Sequence, residues 1–277
     1  MSAVELWRRS YLKQQTYKSV LIAAISLVVF VGIVVFLLSG SEGWAKVQAS
    51  FFDWDTFVGS LPAIGEGLLK NLQVLGYSLV LVLIFATLIA VARTTRTPVL
   101  FPVRLLASLY VDLIRGMPAL LLLYLIGFGI PGLGIFGRID PVILGTIAIT
   151  MCYSAYVAEV LRSGINSVHP SQRAGARALG LTHWQTMRIV VLPQAVRNVI
   201  PALMNDFVAM QKDVGLVSTI GVIDVVRAAQ IEVAHTWNFT PYVAAGVVFV
   251  LLALPFVRLA DWYTNRTRER EQKGGTV

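Results

Sequence analysis

Val168-His169-Pro170-Ser171-Gln172-Arg173-Ala174-Gly175-Ala176-Arg177-Ala178-Leu179-Gly180-Leu181 is a polar, basic stretch set between two long apolar runs. Its punctuation is that of a short helix. Pro170 suits the first turn, where a missing N–H costs nothing, and Gly180 suits the position just past a helix end. Arg173 and Arg177 stand one turn apart among Ala and Gly residues. A helix this lean can be approached closely by another surface, and it buries too little to be stable alone. Thr182 followed three residues later by Gln185 is a capping-box pattern. A second helix is therefore expected to start there and to end at Leu192-Pro193. Residues 162–197 then form a knob of two short helices. The plainer alternative is a solvated connection between spans, although connections this long in compact domains are usually functional.

The runs on either side set the fold class. The chain has 277 residues, of which 56% are hydrophobic and 14% charged, against about 25% charged in soluble domains. The apolar excess must face lipid, so an all-α membrane protein with about six transmembrane helices is expected. The net charge of +8 is read as retention on the cytoplasmic face and attraction to anionic lipid, not as a nucleic-acid surface. Cys152 stands alone within an apolar run, and His169, His183 and His235 are scattered, so neither a disulfide nor a metal site is expected.

The first span is Ser19 to Ser39. At about 1.5 Å per residue it reaches roughly 31 Å, the hydrocarbon thickness, and it exceeds a cleavable signal core, so a retained helix is expected. Residues 40–66 mix Trp44, Phe51, Phe52, Trp54 and Phe57 with acids, which suits an external interfacial segment containing a short helix. Further spans are expected at Leu68–Ala92, at Val103–Phe128 with a break at Arg115-Gly116-Met117-Pro118, and at Pro141–Val160, Val199–Ile220 and Pro241–Leu259. With both termini cytoplasmic, the inside segments hold Arg8, Arg9, Lys13, Lys18, Arg93, Arg96, Arg104, Arg162, Arg173, Arg177, Arg188, Arg197, Arg258, Arg266, Arg268, Arg270 and Lys273. Only Lys46, Lys70, Arg138 and Arg227 fall outside. One span more or fewer would destroy this bias. The expected organisation is a basic cytoplasmic N-terminus 1–18, an added helix 19–39, the external segment 40–66, a core 67–262 and a cytoplasmic basic tail 263–277.

The run RAGARALGLTHWQTMRIVVLP, Arg173 to Pro193, resembles the EAA loop of ABC importer permeases. Its core falls on Ala174-Gly175-Ala176, then Gly180, then Val190-Val191-Leu192-Pro193. Arg115-Gly116-Met117-Pro118, Glu159-Val160-Leu161-Arg162-Ser163-Gly164-Ile165, Pro193-Gln194-Ala195 and Lys212-Asp213 with Leu216-Val217-Ser218 resemble the polar amino-acid branch of that family. The likeness covers roughly Gly67 to Trp262, a five-helix core to which the N-terminal helix is an addition. There are departures: Ala174 stands for the family's Glu, Gly175 for its first Ala, and Gly215 for a Ser commonly found after Lys-Asp. With Ala at position 174, a polar contact to the ATPase is either missing or supplied by Gln172, Arg173 or Arg177.

The resemblance implies a division of labour. The lean helix, with Gln172, Arg173, Ala174, Gly175, Ala176, Arg177 and Gly180, would be the coupling helix seated on one of two separate ABC ATPase subunits. Those subunits, not this chain, would bind ATP and Mg, and the chain itself would have no catalytic residues and no cofactor. A second permease copy or a homologous permease, an extracytoplasmic substrate-binding protein and an amino-acid substrate complete the implied set, in a bacterial cytoplasmic membrane. The residues agree on one point: no G-x-x-x-x-G-K-[ST] phosphate cradle occurs.

Charges at bilayer depth cost about 2.5–3.5 kcal/mol each unless paired or hydrated. Asp206, Lys212 and Asp213, with Asn205 and Gln211, are therefore candidates for a substrate pathway, as is Arg115, which alternatively braces the break in its span. Glu159 is expected to pair with Arg162 or another base of the loop. Tyr153, Tyr156 and Met151 read as helix packing, and Trp44, Trp54 and Trp237 as interfacial anchors. An ion-coupled secondary transporter of small polar solutes is the alternative function, resting on Asp206 or Asp213. A membrane enzyme would need a His, Ser, Cys or paired-carboxylate constellation at one interface, which the sequence does not offer.

Overall fold

The computed structural model describes the backbone of residues 3–95 and 97–274 and the side chains of 18–37, 39–41, 43–95 and 97–266. Arg8, Arg9, Lys13, Arg96, Arg268, Arg270 and Lys273, counted above as cytoplasmic, have side chains outside these described residues. Among the described residues every regular element is helical, and the chain forms two units, Met1–Asp53 and Trp54–Val277.

The first unit holds α1 (Ala3–Ser39) and α2 (Glu42–Phe51). α1 contains the stretch Lys18–Leu37, which is long and apolar enough to cross a membrane and has no buried residue. α2 is the short helix expected after the first span. Residues 54–66, the rest of the interfacial segment, are helical and open the next long helix.

The second unit contains α3 (Trp54–Thr94), α4 (Phe101–Arg115), α5 (Ala119–Tyr124), α6 (Ile130–Gly132), α7 (Pro141–Ser167), α8 (Pro170–Ala178), α9 (His183–Gln185), α10 (Leu192–Asp213), α11 (Val225–Thr236) and α12 (Thr240–Gly274). α3 is long because one stripe runs its whole length. Ser60, Ile64, Gly67, Asn71, Val74, Ser78, Val82, Ala86 and Ala90 recur at helical spacing and are all buried, while Leu69, Tyr77, Val80, Leu83, Leu88 and Val91 face outward. Among the described residues there are five helices long and apolar enough to cross a membrane, or six if α4 and the α5–α6 pair, bent by 107°, count as one span. That bend falls at the Gly116–Pro118 break read from the sequence: α4 stops at Arg115, and Pro118 is extended, with ψ 134°.

α7 is the centre of this unit. Leu144, Ala148, Ile149, Cys152, Tyr153, Ala155, Val157 and Ala158 join one core with residues of α3, α4, α5 and α10. Lipid tails are as apolar as these side chains, so close packing rather than water exclusion holds the helices together. Small residues permit it. A Cβ on Gly164 would lie 2.1 Å from Val199 Cγ1 and 3.1 Å from the Ala195 carbonyl, at the crossing of α7 and α10.

Two findings differ from expectation. The helix opened by Thr182 does not stop at Pro193. It passes through a wide π-helical turn, Thr186–Val191, straight into α10. A proline ring clashes with the carbonyl four residues earlier and donates no hydrogen bond. A wider turn makes room for the ring, and Gln194 Nε2 donates to the Val190 carbonyl at 2.8 Å. Second, α11 lies between the fifth and sixth spans, where the sequence suggested only a connection. Asp224 caps it through the Arg227 amide at 2.9 Å.

Candidate functional site: the knob and the polar face of the fifth span

The knob is built by local rules. His169 is the N-cap of α8, its Nδ1 accepting from the Ser171 amide at 3.2 Å, and Pro170 fills the first helical position. At the other end Gly180 takes φ +84°, a conformation few side chains tolerate. The Leu181 amide then reaches the Ala176 carbonyl at 3.2 Å and the Gly180 amide the Arg177 carbonyl at 3.0 Å, closing a Schellman turn. The capping box follows: Thr182 Oγ1 accepts from the Gln185 amide at 3.3 Å, and Gln185 Oε1 accepts from the Thr182 amide at 2.8 Å. Both ends of α8 and the start of α9 are thus pinned.

Beneath α8 lies a small apolar cluster of Val168, Val191 and Ala195 with Ile165 and Met187 against it. Ala176 is buried, whereas Gln172, Ala174, Gly175, Arg177, Ala178 and Gly180 are exposed. Leu179 is 85% exposed, an apolar side chain with almost no cover. Arg173 is only half-exposed, and its Nη2 donates to the Ile165 carbonyl near the end of α7. This arginine braces the knob against the preceding span, where a cation also suits the negative end of the helix dipole. Arg177 is the cation of α8 left facing outward.

Gly175 stands in open space, as Gly59, Gly65 and Gly76 of α3 do. A Cβ there would meet nothing within 4 Å. A mid-helix Gly costs roughly 0.5–1 kcal/mol relative to Ala, and no contact within the chain explains why that cost is carried.

The polar residues of the fifth span separate into three places. Asp213, at the end of α10, accepts a hydrogen bond from the Tyr153 hydroxyl at 2.8 Å. Asp206 lies within electrostatic reach of Arg115 and Tyr153, and its Oδ2 is buried with no hydrogen bond among the described residues. Arg115 in turn sits 5.8 Å over the Tyr156 ring, which stands 6.1 Å from the Tyr153 ring. The structure therefore gathers Arg115, Asp206 and Asp213 around two tyrosines of α7. Asn205 and Lys212 are exposed on another face of α10. Gln211 is 2% exposed, and neither polar atom of its amide has a hydrogen-bond partner among the described residues.

Tyr153 is the residue that sequence reasoning assigned to packing. Its signal was available: a carboxylate at membrane depth needs a donor, and a Tyr on a neighbouring span can supply one. Glu159 pairs with Arg162 as expected, and also with Arg93 at 2.6 Å. That pairing ties the end of α3 to the end of α7, so the basic segments 93–104 and 162–197 adjoin one side of the helix bundle.

The chain resembles known transport subunits over most of its length. It is 32% identical over 204 residues to the arginine transport system permease protein ArtQ of Bacillus subtilis, an alignment covering 73% of this chain and 91% of that one. It is 31% identical over 223 residues to the glutamate/aspartate import permease protein GltK of Escherichia coli, covering 78% and 98% respectively. A crystal structure of an amino acid ABC transporter with histidines superposes with a TM-score of 0.71 at 34% identity, covering 77% of this chain and 98% of that one. Residues 97–269, which include the broken span, the knob and both polar faces of α10, match the model of the binding-protein-dependent transport system inner membrane component; the chain belongs to that family, as a permease of its amino-acid ABC importers.

Proposed function

We infer that this chain lines the translocation pathway of an ATP-driven importer for polar amino acids and takes its energy from a separate ATPase through α8. The single observation that carries this reading is the knob itself. It is a short helix fixed at both ends by capping, braced by Arg173, and exposing a face of Ala174, Gly175, Arg177, Ala178 and Leu179. A free loop needs no such rigidity, whereas a part that receives a push does. Two permease chains, identical or homologous, stand above two ATPase subunits, and an extracytoplasmic binding protein delivers the amino acid. Nucleotide-driven closure of the ATPases moves the knobs together and rocks the spans between outward and inward access. ATP and Mg are held by the ATPase, with no cofactor in this chain.

Both termini and the knob lie in the cytoplasm, an orientation supported by the basic bias and by the Arg93–Glu159–Arg162 bridge. The N-terminal helix 19–39 is an addition to the core 67–262, with residues 40–66 on the external interface and 263–277 a cytoplasmic tail. Arg115, Asp206 and Asp213 line the pathway with the Tyr153 hydroxyl, and Asn205, Gln211 and Lys212 border it. An acid beside a guanidinium suits a solute bearing both an ammonium and a carboxylate group.

The test is uptake in vesicles containing this chain, its ATPase and its binding protein. Gly175→Trp is expected to abolish ATP-dependent uptake while the purified permease keeps its unfolding temperature. Retained uptake would refute coupling through α8. The unpaired Oδ2 of Asp206 favours one alternative, an ion-coupled carrier. In that case an uncoupler would collapse uptake with ATP still present.

A further inference from the structure

Between α3, α4 and α7 the second unit is hollowed into an open groove of about 690 Å³. Phe85 and Leu88 of α3 and Val103 and Leu106 of α4 are its exposed lips, and Ala107 and Met151 line it with less exposure. The lining is almost wholly hydrocarbon. The Tyr110 and Ser154 hydroxyls lie 2.8 Å apart and both reach the Met151 carbonyl, at 2.8 and 3.2 Å, so neither is left to hold a polar ligand. From Leu81 to Ala92 the groove follows α3 for roughly 16 Å, about half of a hydrocarbon core ~30 Å thick. It is thus as deep as one leaflet. Ala92 and Val103, at its end, are followed in the chain by Arg93 and Arg104. From Gly67 to Val111 the chain has no Asp or Glu. Arg93 is answered by Glu159 at 2.6 Å. Arg104 makes no ion pair among the described residues. Its Nη1 donates to the Thr95 carbonyl at 3.3 Å, and its guanidinium lies 5.4 Å from the centre of the Phe101 ring. The charge is held in place and left unanswered.

We propose that the groove of α3, α4 and α7 is a binding site for one anionic phospholipid, with an acyl chain along the groove and the phosphate on Arg104. Three observations agree on that occupant. The hydrocarbon lining suits a chain without polar groups, the length suits one leaflet, and the cation stands at the end where a headgroup would be. A guanidinium matches the geometry of a phosphate and is more weakly hydrated than an ammonium. Each Lys or Arg near an anionic bilayer surface is worth about a factor of five in affinity. The rival occupant is a transmembrane helix, which needs about 30 Å of apolar surface. Past Leu81 and Ile147 the recess that continues the groove is lined by Gln73 and Asp140 as well, so the wholly apolar part spans one leaflet only. The site would fasten the first half of the broken span to α3 from the lipid side. It requires that the chain span a membrane and does not depend on the transport reaction.

The full chain is purified in detergent and titrated with phosphatidylglycerol or with phosphatidylcholine of the same acyl chains, and bound lipid is counted by native mass spectrometry. The parent is expected to bind phosphatidylglycerol about fivefold more tightly than phosphatidylcholine at one site. Arg104→Gln should bring the two lipids to parity, and Arg104→Lys should keep most of the preference. Ala107→Trp fills the groove and should weaken both lipids about tenfold or more, with the unfolding temperature in lipid-free detergent retained. Leu105→Trp, on an exposed position of α4 outside the groove, should change neither. Equal affinity for the two lipids in the parent overturns the proposal, as does a preference that survives Arg104→Gln. Lipid binding unaltered in a folded Ala107→Trp also overturns it, since the lipid would then lie elsewhere on the surface. A parent that binds no lipid at this site gives the groove to a protein helix. Should Ala107→Trp fail to fold, the Arg104 series decides alone. Uptake enters none of these readings, so their failure leaves the function inferred above standing.

Discussion

The knob and the junction of α3 with α11 are built from the same parts and finished differently. Each has a short helix capped by a side chain and a glycine on a helical face. At the α3–α11 junction everything is answered from within. A Cβ on Gly67 would lie 2.5 Å from the Asp224 carbonyl carbon. Asn71 donates to Asp224 Oδ2 at 3.0 Å and accepts from the Val225 amide at 3.0 Å, with Asp224 fully buried. At the knob, among the described residues, a Cβ on Gly175 would meet nothing within 4 Å, Arg177 has no counter-charge, and Leu179 has almost no cover. A closed junction marks a place where the chain holds itself together. An open one leaves those residues unanswered within the chain, as docking of a separate ATPase onto the knob would require.

The largest expected effect tests the closed side. Gly67→Ala pushes a methyl into backbone that cannot give way and should destabilise by about 1–3 kcal/mol, read as a lowered unfolding temperature of the detergent-purified chain. A slightly smaller effect follows from the polar pair. Asn71→Asp or Asp224→Asn alone sets two acceptors or two donors against each other and should cost about 1–2 kcal/mol. The exchanged pair Asn71→Asp with Asp224→Asn restores a donor opposite an acceptor, so much of that loss should return; simple additivity of the two losses would contradict the junction as described.

Titration provides a finer probe. Burial, partly opposed by the Arg227 amide and Asn71, raises the Asp224 carboxyl above the ordinary carboxylate range. The folded state then holds this proton more tightly than the unfolded state. Its stabilising contribution is complete below the unfolded value of about 3.9 and is lost as pH rises through the raised folded value. The difference in stability between the parent and Asp224→Asn, which has no carboxyl at this junction, should change over that interval and be flat above it. The smallest effect belongs to the open side. Gly175→Ala should leave the isolated permease unchanged or gain up to about 1 kcal/mol, since no atom stands in the way. A loss of stability there would show that the knob is closed from within after all.

Much of the knob was legible because its rules are local. Pro170, Gly180, Thr182 and Gln185 act over three to five residues, and each does what its type predicts. The break at Gly116–Pro118 was legible for the same reason. What was not legible depends on partners distant in sequence. Tyr153 and Asp213 are 60 residues apart, and Asn71 and Asp224 are 153 apart. Neither member announces the other. Arg173 was grouped with Arg177 as a contact for a partner, and only the fold shows it turned back onto Ile165. Pro193 misled because a proline ends a helix only when the turn before it keeps its regular width.

That wide turn has a geometric consequence. Residues His183 to Ile220 run without interruption, so the knob and the carboxylates of α10 ride on one continuous shaft. The extra residue in the Thr186–Val191 turn advances the phase of everything after it by about 100°, one residue's share of a 3.6-residue turn. The azimuth of Asp206 and Asp213 relative to α8 is therefore set by a single loosened loop of backbone. Tightening it would swing both acids around the axis and away from Arg115 and Tyr153, while the composition of the span stayed the same.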